Sequence, residues 1–223
     1  MKRVLGAMAV TGAVLLGTAG CLPGGDDERR DVGYAVDEPV RVLVVEARTG
    51  GVTVRGGGEA VKVTEHQSYR GAAPRSSHEV KDGTLTLRYD CEDCGVGYEV
   101  DVPAGTVVRV GTETGGVRLT GLAAEVDVRA GTGGVEASGL TSPVVRLRTG
   151  TGGIDVSFAG SPDTVEVRAE TGGVRVRVPA GEAYAVDASA GAGGVSVEVP
   201  RWPGAARTIS ARTEAGGVTV SGA

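Results

Sequence analysis

The chain has 223 residues, a formal charge of −5 and 40% apolar residues, which suits one domain or two small ones. It contains 39 glycines but only one Trp, five Tyr and one Phe, so a conventional aromatic-rich core is excluded. The acidic balance argues against any general attraction to nucleic acid.

The N-terminus opens with the basic "MKR", continues with the apolar "VLGAMAVTGAVLLG" and ends in the small residues of "TAGC". This resembles a bacterial lipoprotein signal, although Thr18 stands where an aliphatic residue is usual. The resemblance implies removal of residues 1–20 and acylation of Cys21. More than one acyl chain there makes a stable anchor. Everything after Cys21 would then lie outside the cytoplasm, on the outer face of the bacterial cell membrane. Residues 21–40 are rich in charge, Gly and Pro, and their composition predicts a flexible tether. Residues 41–223 are expected to form the folded domain.

That domain repeats one word. "RTGGVTV" at Arg48–Val54 is followed by "ETGGVRL", "GTGGVEA", "GTGGIDV", "ETGGVRV", "GAGGVSV" and finally "EAGGVTV" at Glu214–Val220. The first glycines are Gly50, Gly115, Gly133, Gly152, Gly172, Gly193 and Gly216, with spacings of 65, 18, 19, 20, 21 and 23 residues. Aligned on them, the residues seven before, five before, two after and four after are apolar in every copy. Val108, Val110, Val117 and Leu119 are one such set. Between these columns lie polar ones, in which Val44 is the single apolar residue. Period-two alternation on both sides of a glycine pair predicts two half-buried strands joined at a bend. Glycine density and β-branching disfavour helix.

Units of this kind predict an all-β, single-stranded β-helix or β-solenoid with coils of 18–23 residues, each stacked on the last. A β-sandwich or meander of hairpins would also keep the apolar positions on one face. The 65-residue gap is close to three coils in length and holds the alternating stretches "EAVKVTEH", "KDGTLTLRYD" and "GYEVDVPAG". Asp82-Gly83 is a turn signal, and Gly71–Ser77 is expected to be an exposed loop. "VPAG" recurs at Val102–Gly105 and Val178–Gly181.

The stretch "DVPAGTVVRVGTETGGVRLTG" and its later echoes resemble a bacterial adhesin-like, β-strand-repeat family, domain of unknown function 4097. The resemblance runs from about Val42 to Gly222. It implies a β-helix-like solenoid at the cell envelope and carries over no catalytic residue.

The glycine words fit no nucleotide-binding pattern: no pair is followed by Lys, and none opens a helical stretch. Cys91 and Cys94 form a C-x-x-C between strand-like segments and are expected to pair as a disulfide. Redox activity would need the motif at a helix N-terminus, and zinc would need ligands that His66 and His78 do not supply at a familiar spacing. The outward carboxylates Asp127, Glu136, Asp155, Glu166 and Asp187 are interleaved with Arg, as solvated ion pairs would be. No catalytic set, metal site or cofactor is expected.

One outward column is basic. Arg129, Arg148 and Arg168 stand four residues before their glycines in successive copies, with Arg146 nearby. It is either a neutralised face or a contact for anionic cell-wall polymer. The chain is accordingly expected to be a non-catalytic, lipid-anchored scaffold of the cell envelope, adhesin-like in character. It would contact the membrane, a cell-wall polymer or an envelope protein, and no nucleic acid. The alternatives are an envelope-stress sensing or regulatory module acting through a partner protein, and a carbohydrate-active β-helix enzyme.

Overall fold

The structure is a computed structural model describing residues 27–222; the expected signal segment and Cys21 lie outside the described residues. Among the described residues there are nineteen strands and no helix. They form one ten-stranded sheet, sheet A, and one nine-stranded sheet, sheet B.

Each glycine word turns the chain from sheet B into sheet A. The strand pairs are β2 (Val42–Thr49) with β3 (Val52–Gly56), β8 (Val107–Thr114) with β9 (Val117–Thr120), and β10 (Val126–Thr132) with β11 (Val135–Leu140). They continue with β12 (Val144–Thr151) and β13 (Ile154–Phe158), then β14 (Thr164–Thr171) and β15 (Val174–Val178). The last two are β16 (Ala185–Ala192) with β17 (Val195–Val197), and β18 (Thr208–Ala215) with β19 (Val218–Gly222). Neighbouring coils pair in parallel, in constant register through sheet B, so Val128, Leu147 and Val167 fall side by side there. Val135 and Ile154 do the same in sheet A. The four apolar columns thereby become ladders facing one another, and in the middle coils they are almost wholly buried. Val and Leu at 0–3% exposure each contribute about 1.5–3 kcal/mol of transfer free energy. This is a narrow core filled by small branched side chains, which is why so few aromatics are needed.

The corner demands its first glycine. At Gly133 φ is 144°, and a Cβ there would lie 2.2 Å from the carbonyl oxygen of Gly115. The same approach, 2.0–2.3 Å, recurs from Gly115 to Gly50, Gly152 to Gly133, Gly172 to Gly152, Gly216 to Gly172 and Gly193 to Gly216. These glycines stack backbone on backbone, and the chain of contacts traces the stacking order.

That order departs from the expectation of each coil stacking on the last. The pair β18/β19 sits between β14/β15 and β16/β17, because residues 198–207 carry the chain back over one coil. The swap places Ile209 inside, at 1% exposure, and leaves the half-buried Val186 at the end. At the other end, the 65-residue gap holds one further coil, not three. β6 (Thr84–Asp90) and β7 (Cys94–Val102) stack outside β2 and β3. The remaining segments, β4 (Val61–Tyr69) and β5 (Arg75–Lys81), run antiparallel to β7 and β6. Asp82 and Gly83, both at positive φ, make the β5–β6 turn. The expected loop Gly71–Ser77 shortens, because β5 begins at Arg75.

The expected tether also changes. Glu28–Val36 is a strand, β1, which pairs antiparallel with β4 along its whole length and ends sheet A. Its alternation was masked by charge, since Glu28, Arg29, Arg30 and Asp31 precede the apolar Val32, Tyr34 and Val36. Composition alone read those charges as solvation. Pairing with β4 supplies the backbone hydrogen bonds that a tether would have taken from water.

Candidate functional site

The long outer faces of the two sheets are the surfaces the coils repeat. On sheet B, register places Arg129 beside Arg148, Arg148 beside Arg168, and Arg168 beside Arg212. Four guanidinium-bearing strands are thus consecutive, at the usual strand spacing of about 4.8 Å. In water, like charges at that distance repel by about 1 kcal/mol per pair. Each Arg meets a carboxylate instead. Arg129 contacts Asp127 at 3.0 Å, Arg148 contacts Glu166 at 3.5 Å, Arg168 contacts Glu214 at 2.6 Å, and Arg212 contacts Asp187. Arg146 lies in the next column, 2.7 Å from Glu125 and 3.8 Å from Glu166. The structure therefore brings Arg129, Arg146, Arg148 and Arg168 together, as a face of mixed charge. Arg212 was missed because Ser189 stands between Arg168 and Arg212 in the aligned copies; the swapped coil order removes that interruption.

On sheet A, the second glycine of each pair faces outward and leaves a trough of about 940 Å³ along the corner. Gly116, Gly134, Gly153 and Gly173 contribute to its floor, and Arg118, Glu136, Asp155 and Arg175 to its wall. Those wall residues are paired, Arg118 to Glu136 at 3.2 Å and Arg175 to Asp155 at 2.9 Å. Unlike the first glycines, the second ones have negative φ, and a Cβ on Gly134 would sit 3.5 Å from the nearest atom, in ordinary contact.

Cys91 and Cys94 are joined as a disulfide, with Cα atoms 6.1 Å apart. Register shows what the motif is for. From Val45 to Val52 the corner of the β2/β3 coil takes seven steps; from the matching Leu87 to Tyr98 the β6/β7 coil takes eleven. The "CEDC" segment is therefore a four-residue bulge in a corner that lacks the glycine pair, and the disulfide closes its base.

A further group of charged and titratable residues lies where β1, β4 and β7 pair. His66 Nδ1 lies 2.8 Å from Asp31 and its Nε2 lies 3.4 Å from Glu99. The hydrogen bond to Asp31 raises the His66 pKa above its ordinary value, against a smaller desolvation effect. Arg55, 2.8 Å from Glu99, holds that carboxyl below the usual carboxylate range. Inside the same end, Glu65 is 2% exposed and accepts hydrogen bonds from Tyr34 Oη and Gln67 Nε2, both at 2.9 Å. Burial, reinforced by Glu65, pushes the Tyr34 phenol up. No group of three or more His, Cys, Asp or Glu suited to a metal ion occurs among the described residues.

Residues 100–206 match the sequence model of the Toastrack family, DUF4097. Among solved structures, a "putative cell adhesion protein" from Clostridium sporogenes superposes with a TM-score of 0.55 at 14% identity, covering 88% of this chain and all of that one. A "putative adhesin" from Bacteroides fragilis follows with a TM-score of 0.48 at 15% identity, covering 89% of this chain and 99% of that one. No curated protein matches the chain. The first of these likenesses agrees with the β-solenoid fold described above.

Proposed function

From this likeness in fold, we propose that the chain is a non-catalytic scaffold of the bacterial cell surface, adhesin-like in action. It meets anionic envelope polymer along the outer face of sheet B. The observation that carries the reading is the in-register column Arg129, Arg148, Arg168 and Arg212. Asp127 beside Arg129 is only 16% exposed, but Glu166, Glu214 and Asp187 beside the other three are 46–64% exposed, and exposed ion pairs are worth about 0–1 kcal/mol each. Exchanging them for phosphate or carboxylate groups spaced along a polymer is therefore cheap. A rigid column can then engage several such groups at once, and the contacts multiply.

The anchor in this reading is acylated Cys21. With β1 beginning at Glu28, only six residues separate the two, so the β1 end of the rod would stay within about 25 Å of the anchoring cysteine. Changing Cys21 to Ser should release the protein from membranes into the soluble fraction.

Calorimetric titration with purified cell-wall polymers tests the contact. Arg148→Glu and Arg168→Glu should each weaken binding by about tenfold or more, and added salt should weaken the parent chain. Equal binding by parent and variants overturns the Arg-column reading, and release of sugar from any polymer overturns the non-catalytic one.

A further inference from the structure

The two ends of the rod differ. At one end the edges are β1 and β5, whose sequences ERRDVGYAV and RSSHEVK are dense in charge. Charged edge strands resist pairing with other chains. At the other end both edges belong to a single coil, β16 in sheet B and β17 in sheet A. Their sequences are AVDASAGA and VSV, with one charge between them. That charge, Asp187, is already paired with Arg212 of the coil beneath.

This end is also uncapped. Val186, Ala188, Ala190 and Val197 continue the inward-facing columns yet are only half-buried, and Val195 is 46% exposed. The equivalent residues one coil deeper, Ile209, Ala211, Thr213, Val218 and Val220, are at most 5% exposed. The β16 edge is shielded only at the residue just before the strand. There Tyr184 donates its N–H to Pro200 and accepts from the Trp202 N–H. Ala185 points the other way, donating to Arg207 on the β18 side. By strand alternation the polar backbone groups of Val186, Ala188 and Ala190 face outward, and no strand lies beyond them among the described residues.

We propose that this end is a homodimer interface, in which two copies meet end to end about a two-fold axis. A partner that satisfies this surface must present two open strand edges at once, at the separation the core imposes on sheets A and B. It must also bring its own uncovered apolar columns. The same end of a second copy meets both conditions by construction, whereas a lone strand from another protein would pair one edge and leave the other open. The charged β1/β5 end is a poor match, so head-to-tail stacking into a filament is disfavoured. Pairing β16 with β16 and β17 with β17 in antiparallel fashion is isologous and closes at two copies. The apolar columns then run unbroken through both rods. This inference is independent of the polymer-binding reading above.

Sedimentation of the full chain, purified in detergent, over a wide concentration range tests it. The parent chain should show a monomer–dimer equilibrium with nothing larger. Ala188→Lys and Val195→Lys each place an ammonium on one of the two open edges and should weaken the dimer by about tenfold or more. Ser77→Lys, on β5 at the opposite end, should leave it unchanged. Trp202 is the only tryptophan, stands at the rim of the open end and is 65% exposed. Its emission should shift to the blue on dimerisation of the parent, a readout that needs no variant. A chain monomeric at every concentration overturns the proposal. So does a ladder of species beyond the dimer, or folded Ala188→Lys and Val195→Lys proteins that dimerise like the parent.

Discussion

Gly133 lies directly on Gly115: the position of its missing Cβ is 2.2 Å from the Gly115 carbonyl oxygen, in a backbone at φ 144°. Gly134, next in sequence, has negative φ and room for a methyl group, with Gly153 O 3.5 Å away. Gly133→Ala must therefore both strain its backbone and push two coils apart, at a cost of about 3 kcal/mol or more. Gly134→Ala should fall within about 1 kcal/mol of the parent and can gain from the stiffer unfolded chain. Thermal unfolding of the two variants side by side checks this; equal losses would contradict it.

Tyr89 extends a ladder with its side chain. Regular pairing of β2 with β6 stops at Glu46 and Arg88. Beyond it the Tyr89 hydroxyl accepts from the Thr49 N–H at 2.6 Å and donates to the Thr49 carbonyl at 2.7 Å. Tyr89→Phe removes partners from two backbone groups and should cost about 1–3 kcal/mol. Faster hydrogen exchange at the Thr49 amide would localise the loss.

Tyr34 and Tyr98 should ionise late. Burial is the main cause of the rise in both phenol pKa values, and the neighbouring Glu65 adds to it. Because the folded values are raised, the stability they represent is present below the ordinary tyrosine range and is lost as pH climbs through and above it. An ultraviolet titration should show these phenols ionising only as the protein unfolds in alkali. Tyr34→Phe, which deprives Glu65 of a donor, should destabilise the chain by about 1.5–3 kcal/mol.

The junction of β1 with β4 should loosen as pH rises. Asp31 on β1 favours the protonated form of His66 on β4, so the folded pKa is raised. The stabilisation is complete below the ordinary histidine value and fades as pH rises through the raised one. Measured against the intrinsic rise of exchange with pH, the protection of β1 amides should fall as pH climbs above the ordinary histidine range. His66→Gln should flatten that dependence; an unchanged profile would show that the pair does not hold β1.

Much of the fold was legible because one physical rule recurs in every coil except β6/β7. Period-two alternation on both sides of a glycine pair specifies which residues face inward, and the same columns are the ones buried in sheets A and B. The stacking of Arg129, Arg148 and Arg168 followed from their common offset. Part of their neutralisation followed too, since Asp127 and Glu166 stand among the interleaved carboxylates, but Glu214 reaches Arg168 from a coil 46 residues away in sequence.

The sequence by itself determined the strands, the corners and the inward columns, because these depend on side-chain alternation and on the room each glycine leaves. Only the tertiary structure decided the order of the coils at both ends, the incorporation of β1 into sheet A, and the difference between a charged, closed end and an apolar, open one. The reason is degeneracy. Every coil offers the next nearly the same Val-rich ladder, so the local pattern is satisfied by more than one stacking order. Loop reach and the fit of whole coils, such as β18 and β19 entering beneath β16 and β17, select among them.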